Sequence, residues 1–369
     1  MVKQLGLVCA VLALGACAKD FDQQVAGRKV VEARTSAMAM APPGTLERRV
    51  LDLASCQLEG YQIVDTCFAL RALRRELDAP GGSKELSLAL GTSLLRHAAP
   101  AVRIEAAKLM GSDVASRHAI VDHARRETVP AVRQAFVRLL ADEGARLPSV
   151  AQFLVESANH PTASVRLEAL DAITSVANRG MPGAAATIIA MVERDPDASV
   201  RRSACALGGT LGDPTLVPMY AQHTATTADP ELYAACMEGL VAMFHDHPLF
   251  DTASEPAYRL FLERLATQPR SEVSPPWSVM STFCYFSHDA DLAKLAAWKQ
   301  RAPWFDANEV KRVLTSVIAD KATSWMARTA AVESLVGLGA TKAELSALRA
   351  TVTPVDPRVL AKIDSVLDE

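Results

Sequence analysis

A junction between two helices that recurs along the chain constrains this fold more than any other feature. Its fullest copy is DPDASVRRSACALGGTLGDPTLVP, from Asp195 to Pro218. Asp195-Pro196 closes one helix and opens the next, because proline is tolerated in a first helical turn and aspartate caps it. Val200, Ala204 and Leu207 then share a helical face. Gly208, Gly209 and Gly212 are expected to stop that helix, and Asp213-Pro214 to start another. Related junctions begin at Pro100 (PAVRIEAAKLMGS), Pro130 (PAVRQAFVRLLADEG), Pro161 (PTASVRLEALDAITSVA) and Asp229 (DPELYAACMEGLVAMF). In each, an apolar anchor follows the proline. The anchors Val102, Val132, Val165, Val200 and Leu232 stand at intervals of 30, 33, 35 and 32 residues. A two-helix unit of this period cannot bury its apolar face alone and must stack on its neighbours. The pattern predicts an all-α fold, an α-solenoid of antiparallel helix pairs.

The junction resembles the HEAT repeat, and the run ALGGTLGDPTLVP resembles in particular the bilin-lyase-type subgroup of that family. The likeness runs from about Pro100 to Phe244 and weakens outside it. It implies a HEAT-like superhelix of about eight or nine helix pairs. The expected pairs cover residues 46–77, turning near Gly60, and then 85–111, 115–140, 148–177, 184–208 and 215–244. The regular array is thus read as 46–244, with a divergent, aromatic-rich part over 245–369. WMARTAAVESLVGLG, from Trp325, returns Ala327, Ala331 and Leu335 to the anchor register, 95 residues after Leu232, and residues 359–367 are expected to cap the stack. Half of the 369 residues are apolar but only 5% are aromatic, so the cores are built from small side chains.

Residues 1–16 read as a signal peptide, with one lysine and then an apolar run from Leu5 to Leu14 that is short for a membrane span. Leu14-Gly15-Ala16-Cys17 resembles a bacterial lipobox, which implies acylation of Cys17 and anchoring by several acyl chains. Ordinary cleavage at this small-residue site, releasing a soluble periplasmic protein, is the alternative. Ala18 after the cysteine favours the outer membrane, facing the periplasm. Residues 17–45 end in Pro42-Pro43-Gly44 and read as a tether spanning roughly 30 Å, with a short amphipathic helix around 24–34 as the other reading. The net charge of −3, or −4 once Lys3 leaves with the leader, argues against a general nucleic-acid binder.

Cys56 and Cys67 flank the turn near Gly60. In an oxidising compartment they would form a disulfide or remain two small buried thiols. Cys205 and Cys236 stand five and four positions past their anchors, so they are expected on different faces, as unpaired core cysteines. Cys284 is the first candidate for a free thiol. Arg103, Arg133, Arg166 and Arg201 each follow an anchor directly. Two readings stand: an anion-binding ridge, or a ladder bonding carbonyls and the carboxylates of Glu105, Glu168, Asp195 or Asp197. His245-Asp246-His247-Pro248 has two histidines but no further ligand at a useful spacing, and reads as a turn rather than a metal site.

Residues 244–325 hold 12 of the 19 aromatic residues and all four tryptophans. They also contain TQPRSEVSPPWS, an irregular stretch from Thr267 to Ser278. Aromatic anchors beside such a loop suit a binding surface, with Trp277, Tyr285, Trp298 and Trp304 as the best partner contacts. The competing reading is that rings fill larger gaps in divergent repeats. No GxSxG, HExxH, phosphate loop or dinucleotide fingerprint is present, and the carboxylates are scattered at helical surface spacing. The expectation is a non-catalytic, lipid-anchored envelope scaffold for a protein partner, without cofactor, metal, nucleic acid or an evident small-molecule substrate. The family resemblance supplies the alternative of an enzyme or cofactor-attachment factor.

Overall fold

The computed structural model describes residues 58–59, 62–63, 84–111, 113–245, 253–267, 300, 302–352 and 356–368. Among these, fifteen α-helices carry the fold: α1 Lys84–Leu94, α2 Pro100–Leu109, α3 Val114–Ala124, α4 Pro130–Leu139, α5 Pro148–Ser157, α6 Ala163–Ile173, α7 Ala184–Arg194, α8 Ala198–Gly208, α9 Val217–Thr226, α10 Pro230–His245, α11 Ser254–Thr267, α12 Ala307–Ala319, α13 Trp325–Gly337, α14 Lys342–Val352 and α15 Pro357–Asp368. The fold is all-α apart from Leu58–Glu59 and Gln62–Ile63, which pair antiparallel with Leu58 opposite Ile63. These paired strands stand where the sequence pattern predicts part of a helix pair.

The chain divides into two compact units, residues 1–172 and 173–369. In the first, α1 packs on α2 and α3, α2 on α4, and α3 on α4 and α5. In the second, α7 packs on α8, α8 on α10, α9 on α10 and α11, α10 on α11, and α11 on α12. There α12 also packs on α13 and α14, α13 on α15, and α14 on α15. Within each unit, then, helices meet the next and the next but one. All five anchors are buried, with Val132, Val165 and Val200 at 0% exposure, and Ala327, Ala331 and Leu335 join them.

The turn inside each pair is locked in a repeating way. A side chain at its first position accepts the backbone N–H two residues on: His97 Nδ1 from Ala99 (3.0 Å), Glu127 from Val129 (2.8 Å), His160 Nδ1 from Thr162 (3.1 Å), Asp195 from Asp197 (2.9 Å), Thr227 from Asp229 (3.1 Å) and Asp320 from Ala322 (3.0 Å). The arginine after the anchor closes the turn from the other side. Arg103 donates to the carbonyls of His97 (2.9 Å) and Ala98 (3.0 Å), Arg166 to those of His160 (2.9 Å) and Pro161 (3.0 Å), and Arg201 to that of Asp195 (2.8 Å). Arg133 reaches the carbonyl of Ala124 (3.2 Å) and Arg328 that of Ile318 (2.7 Å), both in the last turn of the preceding helix. These carbonyls lie at or just beyond helix ends, where a cation is favoured.

The arginines therefore form the carbonyl ladder rather than an anion ridge, and Arg103 adds a carboxylate outside the four expected. Arg103 takes Glu127, through Nε at 2.7 Å and Nη2 at 2.9 Å. Asp195 is met by Arg201 at its carbonyl. Glu168 is held instead by Gln134 and Arg138 from α4, and Glu105 by Lys108.

Gly208 and Gly209 are not stops. Both have right-handed helical backbone, and the chain runs on through a short 3₁₀ turn to Gly212, whose φ of 63° ends it. Their role is close approach. A methyl group at Gly209 would fall within bonding distance of the Gly239 carbonyl, and one at Gly239 would strike the Cys205 carbonyl and the Tyr220 hydroxyl. Tyr220, fully buried on α9, donates to that Cys205 carbonyl at 2.8 Å. The backbones of α8 and α10 consequently lie so near that Cys205 and Cys236 are joined in a disulfide, with Cα atoms 4.8 Å apart. The one-residue offset in register is absorbed because bare glycine backbones touch beside the pair. Counting positions past the anchors could not register this.

Three expectations follow for stability. Gly239→Ala would gain helix propensity on an open helix, but here overpacking should cost about 2 kcal/mol, seen as a lower denaturant midpoint at unchanged slope. Arg103→Ala should cost on the order of 3 kcal/mol by leaving Glu127 buried without its partner, measured in the same way. The third concerns His160, whose pKa is held below its ordinary 6.5 by burial and then by the charges of Arg133 and Arg166. A depressed histidine pKa stabilises the fold fully above 6.5 and loses that contribution as pH falls toward the folded value. His160→Asn, which keeps an acceptor but does not titrate, should flatten the fall of Tm between about pH 7 and pH 5.

Candidate functional site

Of the residues expected to contact a partner, the described part of the structure contains Trp304. Its ring is half buried and lies 4.9 Å from that of the fully buried Tyr258, tilted by 45°. Phe305 and Phe244 also flank Tyr258, at 5.7 and 5.6 Å, and Phe261 adjoins Phe244 at 5.5 Å. Arg259 from α11 donates to the Trp304 carbonyl (3.3 Å) and to Glu309 on α12 (2.9 Å). This cluster fills the space between α10, α11 and the segment leading into α12, so Trp304 belongs in part to the core. Trp277, Tyr285, Trp298, Cys17, Cys56, Cys67 and Cys284 lie outside the described residues, as does most of His245-Asp246-His247-Pro248.

The polar side chains most suggestive of chemistry are engaged with structure. His97 and His160 accept backbone N–H groups. His123 lies 3.9 Å from Glu127, which Arg103 already holds. Burial alone would push the Glu127 carboxyl up, but hydrogen bonds from Arg103 and from the Val129 N–H outweigh it and hold the carboxyl below its usual range. Among the described residues no cluster of three histidine, cysteine or carboxylate side chains could hold a metal ion.

The concave feature that stands out is in the second unit. Lys311 and Thr315 of α12, Leu335 of α13, Ala340 and the α14 residues Leu345 and Leu348 line a groove of about 300 Å³. An adjoining depression of about 330 Å³ shares Lys311, Thr315 and Glu344 with it and adds Asn308 and Arg312. The floor is therefore apolar and the mouth polar. Local sequence sets that mouth. Thr341 and Glu344 form a capping box at the start of α14: the Thr341 N–H donates to Glu344 at 2.6 Å, and the Glu344 N–H donates to the Thr341 hydroxyl at 3.2 Å. Those two bonds from Thr341, with Lys311 beside them, hold the exposed Glu344 carboxyl below its usual range. Lys311 in turn donates to the Gly339 carbonyl at 3.0 Å and lies 3.6 Å from Glu344.

Sequence reading passed over this groove. The Thr341-x-x-Glu344 signature was present, and so were the small residues Ala340 and Ala347. That small residues would leave a gap beside Leu335 depends on how α12, α13 and α14 cross. No protein-family model matches the chain, and no curated relative is significantly similar to it.

Proposed function

We propose that this chain is a HEAT-like α-solenoid scaffold, exported to the bacterial envelope, anchored through acylated Cys17 and facing the periplasm, where it binds a partner protein without catalysis. The observation that carries this reading is the packing within each unit. The turn side chains accept from their own backbone, and five arginines after the anchors donate to carbonyls at the helix ends, leaving the outer surfaces as the place for recognition. A disulfide between Cys205 and Cys236 supports export, since such bonds persist in oxidising compartments and are rare in the cytosol. The lipobox-like Leu14-Gly15-Ala16-Cys17 supplies the anchor, and residues 17–45 supply reach from the membrane.

Expression of the full chain in a bacterium, followed by fractionation and mass spectrometry, tests the anchor. The parent is expected in the membrane fraction with acyl groups on Cys17 and Cys205 oxidised, and Cys17→Ser is expected to move to the soluble fraction. A cytosolic parent with free Cys205 and Cys236 thiols would sink the reading. Capture from envelope extracts with Trp277→Ala and Trp298→Ala tests the aromatic surface, whose loss of a retained protein is the expected result.

A further inference from the structure

The groove formed by α12, α13 and α14 has a division of character that selects a ligand class. Its apolar lining is the buried Leu335, Leu345 and Leu348 with the more exposed alanines Ala340 and Ala347. Its mouth continues into the depression where Lys311 and Arg312 stand on neighbouring positions of α12. An ammonium has three donors. Lys311 directs one to the Gly339 carbonyl and faces Glu344 with another, so one donor remains for a ligand. Glu344 already accepts from Thr341 twice as well as facing Lys311. Two cations against one engaged carboxylate leave one positive charge in excess at the mouth.

From this layout we propose that the groove binds a medium-chain carboxylate, with its alkyl tail on the leucine and alanine floor and its carboxylate between Lys311 and Arg312. The site is independent of the scaffold reading and of the lipid anchor. A volume of about 300 Å³ lies at the small end of ligand pockets, which is room for a single medium-length alkyl chain. A peptide would bring backbone N–H and C=O groups against an apolar floor that has few partners for them, at a cost of roughly 1–3 kcal/mol each.

The test uses the full-length chain carrying Cys17→Ser, which removes any acyl group of the protein's own, titrated calorimetrically with decanoate, decan-1-ol and decylammonium. Decanoate is expected to bind saturably with one site per chain, more tightly than the alcohol, with no binding of the ammonium. Ala347→Trp fills the apolar part from an exposed position on α14 and should weaken decanoate at least tenfold. Arg312→Glu should weaken decanoate about tenfold, the worth of one charge-assisted bond, while leaving the alcohol unchanged. Both variants are expected to melt as the parent does. The proposal is overturned if decanoate shows no saturable binding, if alcohol and carboxylate bind equally, or if both substitutions leave decanoate affinity where it was.

Discussion

The described pairs depend on the chain reversing between two helices without leaving polar backbone exposed to an apolar core. A helix end carries carbonyls without partners, and a short turn adds N–H groups in the same position. The protein answers with two devices at a fixed distance from each other. A side-chain acceptor opens the turn, and four times an arginine six residues later returns to carbonyls at or just before it, as His97 and Arg103, Glu127 and Arg133, His160 and Arg166, and Asp195 and Arg201 show. The arginine is long enough to lie across the anchor and still reach the turn, and in Arg103 one nitrogen, Nη1, serves two carbonyls while Nε and Nη2 take the Glu127 carboxylate. Lysine could not hold both in the same geometry. Glu127 does a second job. It accepts from its own turn and also holds the guanidinium of the preceding pair, so one carboxylate locks a turn and joins two pairs.

Between pairs the governing constraint is separation of backbones. Ala101, Ala106, Ala107, Ala169 and Ala204 are buried at 1% exposure or less, which keeps neighbouring helices near. The extreme is reached where Gly208, Gly209 and Gly239 meet. The Tyr220 hydroxyl occupies the space that a methyl group would need, and the disulfide crosses beside it. Gly91 does the same against Met110 and the Ala106 carbonyl in the first unit. Farther along, this regime ends. Tyr258, Phe244, Phe261 and Trp304 fill the space beside α11 with rings in mutual contact.

How much of this was legible in the sequence follows from the distance over which each signal acts. Helix boundaries from α1 to α10 came through because Pro100, Pro130 and Pro161, the Asp-Pro pairs and the anchors at Val102 to Leu232 act within a few residues of themselves. The arginine ladder was half visible. The residue type and the register pointed to carbonyls, but the choice of Glu127 over Glu105 depends on how α3 packs against its neighbours. The turn acceptors escaped notice because histidine, glutamate, aspartate and threonine share a position without sharing a sequence letter. The Cys205–Cys236 bond and the groove beside Leu335 were illegible for one reason. Both are set by how closely helices far apart in sequence approach, and no local pattern encodes that distance.

That chemical variety in the turns has a physical consequence. An aspartate or threonine goes on accepting a backbone N–H as the solution becomes mildly acidic, but an imidazole that gains a proton on Nδ1 becomes a donor and loses the bond. In the first unit two of the three turns described rest on histidine, at His97 and His160, and each histidine faces an arginine drawn to its own carbonyl. In the second unit the acceptors are Asp195, Thr227 and Asp320. Turns of nearly equal backbone geometry thus differ in what acid does to them: a protonated His160 would place a positive charge beside a guanidinium in place of an accepting nitrogen. Local opening on acidification should therefore begin at the turn between α5 and α6, while the turns of the second unit keep their acceptors.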